Sequence, residues 1–398
     1  MNRSVRQWFL SIVIFFAALI PRATSLESGW SYDESFWVRS SAQFILAMKQ
    51  LEFAKTNLAY HPGVTTMWFG GLSLWSGRQL PKEKKSLNVD NLATARISVA
   101  VITSIAVVAI YLLLLQLFNQ KIALLCAIFI ILDPFYLAHS RIIHTDALLA
   151  SFTVLSVLSF LVYIDKKKRS ALILSGIYCG LSMLTKTSGA ILFPYTLISL
   201  WLYFYLNIEN HEIKLCNIAR DTLKTFFAWS SASLATFWAL WPAMWVVSIQ
   251  VGELSIPLSP FILFELLLIC YVTQRNLSKR NYKPKVVLSY RRFITYSIII
   301  IFGLSLFLLG VYKGTSSLIS SIKWALTTSH ENPYYFMGKV VKDPGILFYP
   351  VVTAMRTTPL SFIFSLLSLI LLYHSYNRGE RAVALPRLNA TSTIEGQD

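Results

Sequence analysis

The chain has 398 residues, 55% of them hydrophobic and 14% charged, with a mean hydropathy of +0.56. Soluble domains carry about 25% charged residues, so the composition excludes an ordinary water-soluble enzyme. The net charge of +17 does not point to nucleic acid, because the basic residues mostly flank long apolar runs, as they do in polytopic membrane proteins.

Apolar runs of roughly 20 residues are long enough to cross a bilayer core about 30 Å thick. Lipid offers no partner for a free backbone group, so such runs must be helical. Ten spans are expected, near residues 8–21, 92–116, 121–138, 143–163, 170–185, 188–206, 225–247, 259–273, 293–312 and 346–373. The first follows Arg3 and Arg6 and lacks a small-residue cleavage site, so it reads as a retained span. The expected fold is all-α: one polytopic bundle over 1–373 with a short tail, 374–398. Two long segments fall outside the spans on one side, a first outer loop at 22–91 and a late one at 313–345. Within the first, Phe36–Ala54 mixes aromatic, apolar and charged residues at helical spacing and predicts an interfacial helix. Tyr60-His-Pro-Gly63 then breaks the chain before a second apolar stretch, Val64–Trp75. Cys126, Cys179, Cys216 and Cys270 form no C-x-x-C pattern and none falls in an outer loop, so disulfides are not expected.

Placing the N-terminus in the cytoplasm and alternating the spans puts 20 of the 36 Lys and Arg residues inside, including the dense clusters Lys166–Arg169 and Arg275–Arg292. This is the positive-inside bias. It predicts a multi-pass plasma membrane protein with both termini cytoplasmic. The same alternation gathers Asp33, Glu34, His61, Arg96, Asp133, His139, Arg141, His144, Asp146, Lys186, His330 and Arg356 at the outer face. Ionisable groups at such positions are costly and mark functional sites by default.

Several of these residues form patterns with chemical content. In Tyr32-Asp-Glu-Ser-Phe-Trp37, one carboxylate held near a reacting hydroxyl serves as general base, and its neighbour orients a group or binds a cation. The same acids also suit a helix N-terminus. His61 lines a cavity wall or caps a turn. In His139-Ser-Arg-Ile-Ile-His-Thr-Asp146, Arg141 and Asp146 are five apart and not on one helical face, so they address different partners. A guanidinium at the membrane surface binds phosphate as a bidentate fork. Asp146 would pin Arg141, Lys186 or Arg96; the alternative is a charge-neutral network joining spans, with His139, His144 and Asp133 as supports. Lys186 is a second candidate phosphate contact, or a lysine snorkelling to the interface. Arg96 and Arg356 lie deeper in their spans, where each needs a partner or a polar cavity, and both join the phosphate candidates. The late loop Ser329–Gly338, with His330, Glu331 and Tyr334, suits a carbohydrate surface or a headgroup anchor. No glycine-rich nucleotide loop and no H-E-x-x-H motif is present.

In this order and on one side, these pieces resemble the polyprenyl-phosphate-sugar glycosyltransferases of the membrane-embedded GT-C class, and within it family 39, the protein O-mannosyltransferase and aminoarabinose-transferase group. Asp33-Glu34 is similar to that group's acidic pair, His61-Pro62 to its histidine-proline element, and Ser140-Arg141 with Asp146 to its serine-arginine and aspartate element. Thr185-Lys186 is similar to its lysine region, and His330–Gly338 to the late loop of bacterial members. Neither a large late-loop soluble domain nor a long C-terminal domain of the kind some members have is expected in this chain.

The resemblance implies an inverting transferase that moves mannose or a related hexose from a polyprenyl-phosphate carrier to a hydroxyl of a protein, lipid or glycan on the extracytoplasmic face. Asp33 and Glu34 would be catalytic; Arg141, Lys186, Arg356 and Arg96 would meet the donor phosphate; His61, His139, Asp146, His144, Asp133, His330, Glu331 and Tyr334 would support the site. The implied partners are the lipid-linked donor, the acceptor and the bilayer, with no nucleic acid. A divalent metal ion beside Asp33 and Glu34 is compatible with the spacing, which does not require one. A membrane transporter of a lipid-linked or anionic solute is the alternative, but the sequence shows no repeated halves and no matching pair of broken spans.

Overall fold

The structure, a computed structural model, describes residues 3–59, 62–80, 89–206, 215–246, 248–251, 254–257, 334–342 and 345–356. It divides into two compact units, Met1–Thr328 and Ser329–Asp398.

The first unit is helical. Helix α1 (Arg3–Ala23) leads through an irregular loop to α2 (Glu34–Lys49), a short 3-10 turn (Phe53–Thr56) and α3 (Val64–Ser76). The long α4 (Val89–Leu117) follows, then α5 (Gln120–Leu132), a short α6 (Pro134–His139) and α7 (Asp146–Lys166). Helix α8 (Arg169–Thr185), a 3-10 turn (Thr187–Ile191), α9 (Leu192–Leu206) and α10 (Leu215–Leu240) follow. A 3-10 turn (Pro242–Val246) and a small antiparallel hairpin, β1 (Ser248–Val251) with β2 (Leu254–Pro257), are the last described elements of this unit.

Among the described residues, four segments are long and apolar enough to cross a membrane: Val5–Ala23, Asn91–Leu117, Asp146–Lys166 and Thr187–Leu206; α5 and α8 are shorter apolar helices. The expected spans 1, 2, 4, 5 and 6 thus coincide with α1, α4, α7, α8 and the turn plus α9. The expected third span is corrected: it breaks at Asp133-Pro134, where the Asp133 carboxylate accepts the Tyr136 N–H at 2.7 Å and proline takes the first helical position. The expected seventh span is shifted. Helix α10 begins ten residues earlier, taking in Cys216, Arg220 and Lys224, and stops at Pro242, whose ring cannot continue it. Spans 8 and 9 lie outside the described residues, and of span 10 only the beginning is described. The two small hairpins are additions to the all-α expectation.

The bundle is apolar outward and partly polar inward. Helix α1 exposes Trp8, Phe9, Ile12, Phe16 and Ile20, and α9 exposes Ile198, Trp201, Leu202 and Leu206. Contiguous apolar surface of this kind needs lipid or protein against it. Inside, hydroxyls join the helices. Ser156 donates to the Ser175 carbonyl at 2.8 Å, Thr153 and Ser182 share a bond of 2.9 Å, and the Trp229 indole donates to the Ser175 hydroxyl at 2.9 Å. Close helix approach over small residues is the membrane solution to packing without a hydrophobic driving force. It is tightest where α8 meets α10: a Cβ on Gly176 would lie 2.4 Å from the Trp229 carbonyl, and one on Gly180 2.4 Å from the Ser233 carbonyl.

The two ends of this bundle differ in charge. Lys168 reaches Gln116 at 3.5 Å, and Lys167 lies 3.7 Å above the Tyr203 ring, so the basic cluster collects where α4, α7 and α9 end. Asp33, Glu34, Asp146, His144, Arg96 and Lys186 collect at the opposite end.

The second unit contains the hairpin β3 (Tyr334–Phe336) and β4 (Lys339–Val341), with Tyr334 opposite Val341, and α11 (Phe348–Arg356). Met337 and Gly338 both have positive φ, 51° and 80°, which suits a tight two-residue hairpin turn. Phe336 and Phe348 pack edge to face at 5.5 Å.

Replacing Gly176 or Gly180 by valine forces α8 off the α10 backbone. Each substitution should destabilise the bundle by about 1–3 kcal/mol, seen as a lower thermal midpoint of the detergent-purified protein, whereas valine at exposed Gly345, beside which nothing lies within 4 Å, should act only through its φ of 71°.

Candidate active site

The site is built on a buried ion pair. Glu34 opens α2 and turns its carboxylate back to accept the Ser31 N–H at 2.8 Å, as in a capping box. Arg96, about two turns into α4, donates Nε to Glu34 Oε1 at 2.7 Å and Nη2 to Oε2. Its remaining donors go to the carbonyls of Leu26 and Ser28, at 2.7 Å each, and Gly29, at 2.6 Å. All five guanidinium donors are thereby used. Glu34 Oε1 also accepts the Ile143 N–H at 3.0 Å. The two side chains are only 1% and 5% exposed. One ion pair therefore joins the loop after α1, the start of α2, the upper part of α4 and the turn before α7.

Asp33, the preceding residue, is different. Its side chain is 55% exposed and makes no capping hydrogen bond. Its Oδ2 lies 3.5 Å from His144 Nε2. On the other side of the ring, Nδ1 approaches Asp146 Oδ2 at 3.2 Å, an ion-pair contact without hydrogen-bond alignment. Asp146 Oδ1 then accepts from Lys186 Nζ at 3.1 Å. The result is an alternating row of charges, Asp33, His144, Asp146 and Lys186, drawn from α2, the turn, α7 and the end of α8. Burial pushes the His144 imidazole down, but the carboxylates of Asp146 and Asp33 outweigh burial and the opposing Lys186, so its pKa is raised above the ordinary 6.5.

Local sequence explains the placement. Lys186 sits in extended backbone between α8 and the following 3-10 turn. The Thr185 carbonyl accepts the Gly63 N–H at 3.1 Å, and the hydroxyls of Thr65 and Thr185 bond at 2.7 Å, so α3 is docked beside the lysine. Gly63 has φ of 56° and meets the Trp37 ring so closely that a Cβ would lie 2.2 Å from it. Trp37 in turn packs edge to face on His144 at 6.2 Å.

The expected site residues divide accordingly. Asp33, Glu34, Arg96, His144, Asp146 and Lys186 are brought together. Arg141 lies on the same turn, half-buried, with Nη2 donating to the Thr24 carbonyl at 2.6 Å. Two expectations are corrected. Glu34 is not a free carboxylate for chemistry or a cation, because Arg96 and two backbone N–H groups occupy it. Arg96 is not free to meet a phosphate, because its donors are spent. Asp133 is the cap of α6, and His139 closes α6 with its ring tilted on Phe135 at 4.6 Å. Tyr334 opens β3 and Arg356 ends α11, both in the second unit. His61, His330 and Glu331 lie outside the described residues. Trp37 and Thr65 were not among the expected residues, and Thr185 entered only as the neighbour of Lys186. An aromatic in an interfacial helix and two threonines carry no distinguishing signal in sequence. Among the described residues no group of three or more His, Cys, Asp or Glu is arranged to hold a metal ion.

Comparison with known proteins identifies the family and the fold. A family model described as dolichyl-phosphate-mannose-protein mannosyltransferase matches residues 9–239, the stretch that holds the whole charged row. No curated protein sequence matches. Among solved structures, the chain is similar to the Archaeoglobus fulgidus oligosaccharyltransferase in the apo form, with a TM-score of 0.50 and 14% identity over 94% of this chain and 45% of that one. The same enzyme tethered with an acceptor peptide containing the NVT sequon gives a TM-score of 0.47 and 15% identity over 95% of this chain and 44% of that one. The likeness is one of fold, a GT-C-like membrane-helical bundle, and the chain spans less than half the length of the archaeal enzyme.

Removing one partner of a buried ion pair leaves the other uncompensated, at a cost of about 3–5 kcal/mol. Glu34→Gln should therefore lower the thermal midpoint of the purified protein sharply, while Asp33→Asn, at an exposed position, should leave it within a degree or two. Equal midpoints for the two variants would remove Glu34–Arg96 from its structural role.

Proposed function

Because the chain belongs to the dolichyl-phosphate-mannose-protein mannosyltransferase family, we propose that it is a membrane glycosyltransferase which moves a monosaccharide from a polyprenyl-phosphate carrier to an acceptor hydroxyl. The observation that carries this reading is Asp33. It is an exposed carboxylate, fixed at the start of α2 by the immobile Glu34–Arg96 pair, beside a row of groups that ends in the Lys186 cation.

Asp33 takes the proton of the acceptor hydroxyl as its oxygen attacks the anomeric carbon. The bond from that carbon to the phosphate oxygen breaks, and the lipid phosphate leaves with the electron pair. A single displacement inverts the anomeric centre. The leaving group is already a weak base, so it requires positive charge more than a general acid. Lys186 supplies that charge, with Arg141 as the second cation; Arg141 makes one hydrogen bond among the described residues and keeps donors for phosphate. Glu34 and Arg96 act on the reaction through Asp33, as positioning residues. Segregation of the basic cluster to the opposite end of the bundle supports an extracytoplasmic site, with both termini in the cytoplasm. Mannose or a related hexose is the proposed sugar, and a protein, lipid or glycan hydroxyl the acceptor.

The test is transfer by purified protein in lipid, with labelled polyprenyl-phosphate mannose and, in parallel, the glucose and aminoarabinose forms, using membrane extract as acceptor. Asp33→Asn should reduce turnover by about 10²–10⁴-fold, the range of general base catalysis, with donor binding retained. Lys186→Ala should chiefly weaken donor binding. Wild-type turnover in Asp33→Asn would sink the assignment.

A further inference from the structure

The reading of Asp33 as base leaves the adjacent histidine without a role, and the geometry around that ring specifies one. Both nitrogens of His144 face carboxylate oxygens: Nε2 faces Asp33 at 3.5 Å and Nδ1 faces Asp146 at 3.2 Å. A neutral imidazole has one N–H donor and one lone pair. In that state one carboxylate would face a lone pair, and the contact would be repulsive. Only the imidazolium suits both neighbours.

The two carboxylates are not equally held. Asp146 has a second cationic partner in Lys186 at 3.1 Å and lies on the first turn of α7. Asp33 is more than half exposed, and His144 is its one ion-pair partner among the described residues. The ring itself is backed by Trp37 from α2. The charged groups that face it are Asp33 from α2, Asp146 from α7 and Lys186 from the end of α8, while Glu34 and Arg96 close by neutralise each other. When the ring loses its proton, Asp146 stays with Lys186 and Asp33 is the carboxylate that is set free.

We propose that His144 is a cationic latch, a positioning residue that holds the Asp33 carboxylate in place at the start of α2 and releases it on deprotonation. The latch is present below the pKa of the ring, which its neighbours raise, and is lost as pH rises through it. Turnover by the enzyme therefore has an alkaline limb that belongs to His144. The donor cannot supply that limb, since a sugar–phosphate–lipid diester has no proton to lose near neutrality.

This inference rests on Asp33 being the base, so the experiment separates the two. Turnover and donor KM are measured from about pH 6 to 9 for the intact protein in lipid, with a polyprenyl-phosphate sugar at saturating acceptor. The comparison covers wild type, Asp33→Asn, His144→Gln and His144→Lys. Wild type should lose turnover on the alkaline side. His144→Gln, which can donate to one carboxylate but carries no charge, should be roughly 10- to 100-fold slower, as for a misplaced catalytic group, with a flat profile and an unchanged donor KM. His144→Lys should recover part of the rate and carry its limb to higher pH. A wild-type limb retained in His144→Gln, or no limb in wild type, overturns the latch. If His144→Gln does not purify in folded form, a limb unmoved in His144→Lys overturns it as well. Full activity of Asp33→Asn would instead sink the base assignment; an inactive Asp33→Asn with an unaltered His144→Gln profile sinks the latch alone.

Discussion

The Glu34–Arg96 ion pair is the constraint on which the active end of the bundle depends. Two charges taken out of water are stabilised by each other only if their remaining hydrogen-bonding capacity is filled. Here it is filled by the carbonyls of Leu26, Ser28 and Gly29 and the N–H groups of Ser31 and Ile143. None of these five backbone groups can move without leaving a buried donor or acceptor unpaired. The loop after α1, the start of α2 and the turn before α7 thus hold one relative position. Asp33 precedes Glu34 and His144 follows Ile143, so the pair that immobilises their neighbours also sets Asp33 and His144 side by side.

The rest of the bundle supplies rigidity by a different route. Glycines at 176 and 180 let α8 lie on the α10 backbone, Ser156 of α7 donates to the Ser175 carbonyl of α8, and the Trp229 indole of α10 donates to the Ser175 hydroxyl. The Trp68 indole donates to the Leu240 carbonyl at 2.8 Å and ties α3 to the end of α10. Helix α8 ends in Thr185, which holds α3, and Lys186, which holds Asp146. Small-residue packing in the membrane and the charged row above it are therefore continuous: α8 sets the position of Lys186, and Lys186 sets the orientation of Asp146 beneath the histidine ring.

Much of this was legible in the sequence, and the parts that were not have identifiable reasons. Long apolar runs gave α1, α4, α7, α8 and α9, because lipid leaves helix as the one option for each. Alternation gave the common face of Asp33, Arg96, His144, Asp146 and Lys186. The break at Asp133-Pro134 lay inside an otherwise apolar run, where hydropathy outweighed a capping signal that was present. Helix α10 began early because Arg220 and Lys224 read as loop, although charged residues continue a helix readily beyond the hydrocarbon. The depth of Arg96 required a partner, and Glu34 is that partner. The pairing joins residues 62 apart in the chain, and no local pattern reports such a contact. For the same reason His144 could not be told from His139: both stand in one polar turn, and only the fold puts carboxylates on two sides of the first and an aromatic ring against the second.

The acidic pair shows why residue type alone does not assign chemistry. Asp33 and Glu34 are adjacent carboxylates, yet their environments differ completely. Glu34 is closed off from solvent, accepts two backbone N–H groups and faces a guanidinium, so its oxygens have no capacity for a proton from substrate. Asp33 is open to solvent and faces one titratable ring. Two like groups driven apart in this way take distinct roles, one structural and one reactive. The direction of the division follows from helix geometry. Within the first turn of α2, Glu34 points back over Ser31 into the bundle, and Asp33, one residue earlier and outside the regular helix, points away. Exchanging the pair's roles would require re-aiming the start of α2, which the hydrogen bonds of Arg96 to three loop carbonyls do not allow.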